Sequence, residues 1–197
     1  MPRILCISAT SRPNNYTARA LGVVVDELCR NGADVEVLDA RELHLPFPGQ
    51  PDDGDAERLR LKVEEASAVI LATPEYHGGY AAMCKLIIEN LGFPSVMADK
   101  PLGLLGVAAG RIGAIKSLEQ LRAVCSHVGA LVLPRAVSIA GVRKAFTPDG
   151  ACTDPATEAA LRGLARSLLD FLESYAGTHD ALETAVRHDG PPWVSHA

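Results

Sequence analysis

Along this chain, apolar runs of strand length alternate with stretches in which apolar residues recur at intervals of three and four. Such alternation predicts strands joined by crossover helices into a parallel sheet. Five strands are expected, at Arg3 to Ser8, Asp34 to Leu38, Ala68 to Thr73, Leu102 to Ala109 and Ala130 to Leu133. Their largely continuous hydrophobicity suits a sheet covered by helices on both faces. The stripes Leu21, Val24, Leu28 and Ile112, Ile115, Leu118, Leu121, Cys125, Val128 are expected to face that sheet. A closing helix is predicted from about Pro155 to Tyr175, with Asp154 as N-cap, the stripe Leu161, Leu164, Leu168, Leu172, and Gly177 as its stop. The reading gives one domain over residues 1–177, followed over 178–197 by an irregular or partner-packed tail containing Pro191-Pro192-Trp193.

With 197 residues and 48% hydrophobic content, the chain can bury one sizeable core. The formal charge of -5, with Lys and Arg scattered, offers no footprint for a phosphate backbone, so no nucleic-acid partner is expected. Apolar runs such as Leu102 to Ala109 fall far short of the roughly 20 residues that a spanning helix needs, so no membrane partner is expected either. The five cysteines form no Cys-x-x-Cys pair and no His-Cys cluster, which predicts reduced thiols, no metal site and a cytoplasmic protein.

A doubly wound sheet binds ligands beyond the carboxyl ends of its strands, where the strand order reverses. Three loops stand there. After the first strand, Thr10-Ser11-Arg12-Pro13-Asn14-Asn15-Tyr16-Thr17 combines hydroxyls, amides and an arginine with a helix start and contains no acid, which suits a phosphate. It lacks both the Gly-x-Gly-x-x-Gly of a dinucleotide turn and the Gly-Lys-Ser/Thr of a triphosphate loop. After the third strand, Thr73-Pro74-Glu75-Tyr76-His77-Gly78-Gly79-Tyr80 has a proline expected to end the strand, two glycines that permit close approach, and two aromatic rings for a planar ligand. After the fourth, Ala108-Ala109-Gly110-Arg111-Ile112-Gly113-Ala114 is again glycine-rich and opens a helix. Each loop alone also fits an ordinary turn or helix cap. Together they occupy all three positions that the fold reserves for ligands.

On Thr10-Ser11-Arg12, on Thr73-Pro74-Glu75-Tyr76-His77-Gly78-Gly79, and on Gly110-Arg111-Ile112-Gly113 followed by Leu118-Glu119-Gln120-Leu121-Arg122, the chain resembles the NADPH-dependent FMN reductases of the flavodoxin-like class. The resemblance implies an α/β three-layer sandwich with strand order 2-1-3-4-5, an FMN cofactor, NADPH or NADH as electron donor, a small-molecule acceptor, and a homodimer or homotetramer. It would place Thr10, Arg12, Asn15, Tyr16 and Thr17 on the FMN phosphate. Pro74, Glu75, Tyr76, His77, Gly78, Gly110, Arg111 and Gly113 would flank the ring. The family more often has Gly-Ser where Ala9-Thr10 stand and Asn where His77 stands, and Tyr80 to Lys85 lacks the Pro-Gly of some members. Because flavin performs the redox step, no catalytic side chain is required, although His77 is a candidate proton donor. A flavodoxin-type carrier is the alternative function. A phosphorylatable receiver is nearly excluded, since Thr73-Pro74 and Ser8-Ala9 stand where it needs acids.

Overall fold

The structure is a computed structural model that describes the backbone of residues 1–189 and the side chains of residues 1–175. In chain order the elements are β1 (Arg3–Ser8), α1 (Tyr16–Arg30), β2 (Asp34–Asp39), α2 (Asp55–Glu65), β3 (Ala68–Tyr76), β4 (Gly79–Tyr80), α3 (Ala82–Glu89), β5 (Pro101–Val107), α4 (Ile115–His127), β6 (Leu131–Val132), β7 (Val137–Ile139) and α5 (Pro155–Asp189). The parallel sheet runs β2-β1-β3-β5-β6, as the expected order requires. β7 pairs β5 through Leu105↔Val137 to Val107↔Ile139, after β6 has paired it at Pro101↔Leu131 and Leu102↔Val132. The fifth strand is therefore split. Pro134 lies in the gap and has no N–H to give to a ladder.

Period-two alternation sorts the strand residues onto two cores. Leu5, Ile7, Val69, Leu71, Leu102 and Leu104 pack with α2, α3 and α4. Ile4, Cys6, Ile70 and Leu105 pack on the other side against Leu21 and Val24 of α1 and Leu161, Leu164 and Leu168 of α5. The α1–α5 seam also carries an ion-pair network, in which Arg162 bridges Asp26, Glu27 and Glu158 while Arg166 meets Glu27.

Three expectations are corrected. β3 does not end at Pro74 but continues to Tyr76, with Pro74 in register with Val107, because proline is tolerated where its missing donor is not needed by the neighbouring strand. Ile112 and Ile115 are exposed and do not face the sheet. Gly113 has φ +83, which breaks the helical path, so α4 begins at Ile115 and buries Leu118, Leu121 and Cys125. The closing helix passes Gly177 and reaches Asp189, since a single glycine inside a helix costs only about 1 kcal/mol. Its N-terminus is as expected, with Asp154 Oδ2 accepting from Thr157 N (3.1 Å) and Thr157 Oγ1 (2.6 Å). Pro191-Pro192-Trp193 lies outside the described residues.

Candidate functional site

The loop after β1 is stiffened by its own side chains. Asn15 caps α1, its Oδ1 accepting from Ala18 N at 2.7 Å and its Nδ2 donating to Arg12 O at 2.8 Å. Thr10 is fully buried, and its Oγ1 accepts from Arg12 N at 3.4 Å. Asn14 turns the chain at φ 49. With Ala18 N taken by the cap, the N–H groups of Tyr16 and Thr17 head the helix without intrahelical acceptors, and no acidic residue lies in that first turn.

The segment after β3 forms a hairpin, with Glu75↔Tyr80 and Tyr76↔Gly79 paired antiparallel. His77 (φ 51) and Gly78 (φ 77) supply the two left-handed residues of a type I′ turn. Asparagine is the usual first residue of such turns, and histidine is among the few other side chains that accept the conformation. Thr73 braces the base, its Oγ1 accepting from Ala81 N at 3.0 Å and donating to Pro74 O at 3.1 Å. The hairpin is docked on α4. Glu75 Oε2 accepts from Ser117 N (3.3 Å), and Gln120 Nε2 donates to Gly78 O (3.1 Å). Glu75 thereby compensates the start of a helix that has no side-chain cap of its own.

A cavity of about 380 Å³ opens between these loops, at the carboxyl ends of β1, β3 and β5. Of the predicted residues it brings together Arg12, Asn15, Tyr16, Thr17, Pro74, Glu75 and Tyr76. Arg12 lies over the Tyr76 ring at 4.6 Å, linking the first loop to the second. Thr10, His77, Gly78, Gly110, Arg111 and Gly113 are not in the lining. Thr10 lies beneath the loop, and His77 is exposed at the hairpin tip. Gly113 has a packing role, because a Cβ there would stand 2.6 Å from Ser138 Oγ, the group that accepts from Ala114 N. Pro13 and Asn14 of the first loop, Val107 and Ala109 at the end of the expected fourth strand, and Val142 and Arg143 complete the wall. Ala109 ends a run that the sequence did mark. Val142 and Arg143 carried no signal, since they lie beyond the split fifth strand, among loop residues with no recognisable pattern.

Ser8 Oγ, at the end of β1, is the buried side-chain polar atom that has no hydrogen-bond partner among the described residues. The thiols take no part in the cavity. Burial pushes Cys6 up to about 12 and Cys125 up to about 12, and raises Cys84 as well, so all three stay protonated. All five cysteines are unpaired, and no cluster of metal-ligating groups occurs among the described residues.

A parallel sheet between two helical layers, with its cavity across the β1, β3 and β5 ends, defines a flavodoxin-like α/β protein. Solved structures of the same fold include FerB, a flavoenzyme NAD(P)H:(acceptor) oxidoreductase of Paracoccus denitrificans, at TM-score 0.72 and 23% identity over 88% of this chain and 98% of that one. A Streptococcus pneumonia TIGR4 flavodoxin aligns at TM-score 0.58 and 18% identity, over 85% of this chain and 97% of that one. The sequence pattern of the NADPH-dependent FMN reductase family matches residues 2–144, and the chain belongs to that family. It is accordingly an oxidoreductase of the NAD(P)H-dependent FMN reductase class, with FMN as cofactor and NADPH or NADH as co-substrate. Similar proteins include an NADPH azoreductase of Bacillus sp. strain OY1-2, 28% identical over 71% of this chain and 78% of the relative. An NAD(P)H-dependent FMN reductase of Pseudomonas aeruginosa is 29% identical over 77% of this chain and 85% of the relative.

Proposed function

We propose that the protein transfers hydride equivalents from NADPH or NADH to a small acceptor, such as free flavin, a quinone or an azo compound, through an FMN held in the cavity at the β1, β3 and β5 ends. One observation carries this reading: the same cavity combines two guanidiniums and an acid-free helix start with the apolar and aromatic lining of Pro74, Tyr76, Val107 and Ala109. FMN has the matching composition, a phosphate monoester with about −1.5 to −2 charges at neutral pH and a flat ring. When bound, it supplies the two-electron chemistry.

The chain's own residues bind and orient. Arg12, the N–H groups of Tyr16 and Thr17, and the Thr17 hydroxyl would hold the phosphate. Asn15 and Thr10, whose polar atoms bond within the loop, would hold its shape rather than the ligand. Pro74, Glu75, Tyr76 and Ala109 would flank the ring, with Gly110 and Arg111 at its outer edge. Glu75 would keep the hairpin on α4. The reading extends to a homodimer or homotetramer, supported by apolar side chains left in solvent, such as Phe93 and Ile112, and to the cytoplasm, supported by the unpaired thiols.

The test is the visible spectrum of the purified protein, its anaerobic bleaching by each nicotinamide, and steady-state turnover with an acceptor. Flavin bands, bleaching on mixing and ping-pong kinetics are expected. Kinetics requiring donor and acceptor on the protein together would refute the order of events. Bound flavin that no nicotinamide reduces would favour the flavodoxin-type carrier. Light scattering reads the oligomer.

A further inference from the structure

Two guanidiniums line one cavity, yet only Arg12 belongs to the loop that opens α1. Arg143 arrives from the far end of the sheet, on the single 3-10 turn Val142–Lys144 that follows β7. That turn is anchored to the end of β5. Gly141 N donates to Gly110 O at 2.9 Å, and Val142 N donates to Ala108 O at 3.0 Å. It is tied to the start of α1 as well, since Phe146 is buried with its ring centre 6.5 Å from that of Tyr16.

What the neighbouring cations do with their charge sets Arg143 apart. Arg19, one turn into α1, donates to Thr147 O and Pro148 O, both at 3.0 Å, and lies over the Tyr16 ring. Arg12 lies over Tyr76. Among the described residues Arg143 makes no hydrogen bond, ion pair or ring contact. No acid occurs from Ala9 to Val25 or from Ala140 to Pro148. Glu75, the carboxylate in the lining, accepts from Ser117 N instead. A cation on an anchored backbone, lining a cavity and held in no ion pair among the described residues, is placed for an anionic ligand.

The charge balance favours the same view. A phosphate monoester brings about −1.5 to −2 charges, whereas one guanidinium and the roughly half charge of a helix start leave part of that uncompensated. We propose that Arg143 is a second phosphate-binding guanidinium, closing on the terminal phosphate of the flavin nucleotide from the side opposite the β1–α1 loop. The proposal rests on the cavity being the FMN site.

Comparison of FMN with riboflavin isolates the phosphate. The full chain, stripped of flavin, is titrated with each, following quenching of flavin fluorescence, for the wild type, Arg143→Ala, Arg143→Lys and Lys144→Ala. Arg143→Ala is expected to weaken FMN roughly tenfold, the loss of one solvent-accessible charge-assisted bond, and to leave riboflavin unchanged. Arg143→Lys recovers part of the affinity. Lys144→Ala removes the same charge from the neighbouring residue outside the lining and shifts FMN by less than about twofold. An FMN-to-riboflavin ratio unaltered in Arg143→Ala, or altered equally by Lys144→Ala, overturns the proposal while leaving the flavin site standing. Unchanged FMN affinity with a raised KM for NADPH overturns it too, assigning Arg143 to a phosphate of the nicotinamide dinucleotide. If the wild type binds neither flavin, the reading of the cavity fails first. Arg143 is exposed, and circular dichroism of each variant verifies that the fold is intact.

Discussion

Two glycines in β5 test how tightly the sheet sets the position of the site. Gly106 faces the start of α4, where a Cβ would stand 2.7 Å from Ala114 Cβ and 2.8 Å from Leu118 Cγ. Carbon pairs settle at about 3.5–4.0 Å, so Gly106→Ala requires a retreat on the order of 1 Å. Ala114 cannot swing aside. Its N–H donates to Ser138 Oγ at 2.8 Å, and its carbonyl accepts from Ser117 Oγ at 2.8 Å and Leu118 N at 3.0 Å. The substitution should cost about 1–3 kcal/mol by overpacking. That corresponds to a melting temperature lower by roughly 2–10 °C in a chain of this size. Gly103→Ala is the control on the opposite face. Its Cβ would meet Ile70 Cδ1 at 2.6 Å and Leu164 Cδ1 at 3.3 Å, both ends of rotatable side chains. A rotamer adjustment of about 1 kcal/mol, offset by about 0.4–1 kcal/mol from a less flexible unfolded chain, leaves it near neutral. Urea unfolding, with the m-value checked for constancy, compares the two. Because Ser117 N reaches Glu75, Gly106→Ala should also weaken flavin binding. Equal stability of the two variants, or the reverse order, would refute the reasoning.

Replacing Ser8 by Ala removes a buried hydroxyl that has no partner and should stabilise the flavin-free chain by about 1 kcal/mol in urea unfolding; a comparable loss would mean that the hydroxyl is bonded. His77→Asn puts the preferred residue at the first position of the type I′ turn and should raise the melting temperature slightly, by about 0.5 kcal/mol of stability; a lower value would show that the imidazole makes a contact beyond the turn. At the α1–α5 seam, the Arg166 and Arg162 guanidiniums hold Glu27 below the usual carboxylate range, and Arg162 does the same for Asp26. Depressed carboxylates contribute stability above their unfolded pKa, about 4, and lose it as pH falls through the lower folded values. The stability gap between wild type and Arg162→Ala should therefore be full at neutral pH and shrink in acid; a gap constant down to pH 2 would contradict the assignment.

The layered fold was legible because it is written in local periodicity: strand runs with both faces buried, and helical stripes such as Leu161, Leu164 and Leu168 that do meet the sheet. Its departures come from tertiary terms that local pattern does not carry. β3 runs through Pro74 because the last pair with β1 is Ser8↔Ala72, so no strand on that side needs the missing donor. Ile112 fell into a helical stripe by spacing alone, although Gly113 had already broken the helix. At the cavity, the first loop was readable from its cap and its lack of acid, and Pro74 to Tyr76 from the aromatic turn. Val142 and Arg143 were not readable. Their membership depends on β7 pairing β5 after a gap, a long-range event that leaves no periodic trace at positions 140–145.

The way the walls are anchored divides the site into parts of different stiffness. The hairpin wall is bonded to α4 through Glu75 and Gln120, and the wall after β5 continues into the same helix through Ala114. Any shift of α4 therefore moves both together. The arginine-bearing turn is bonded to the wall after β5 through Ala108 and Gly110, and it has a second tie, through Phe146 to Tyr16 at the start of α1, in which α4 takes no part. A cavity built in this way can hold the two ends of an elongated ligand on separate supports. Mutations along α4 should then perturb the ring end more than the phosphate end, and mutations at the Tyr16–Phe146 contact should do the opposite.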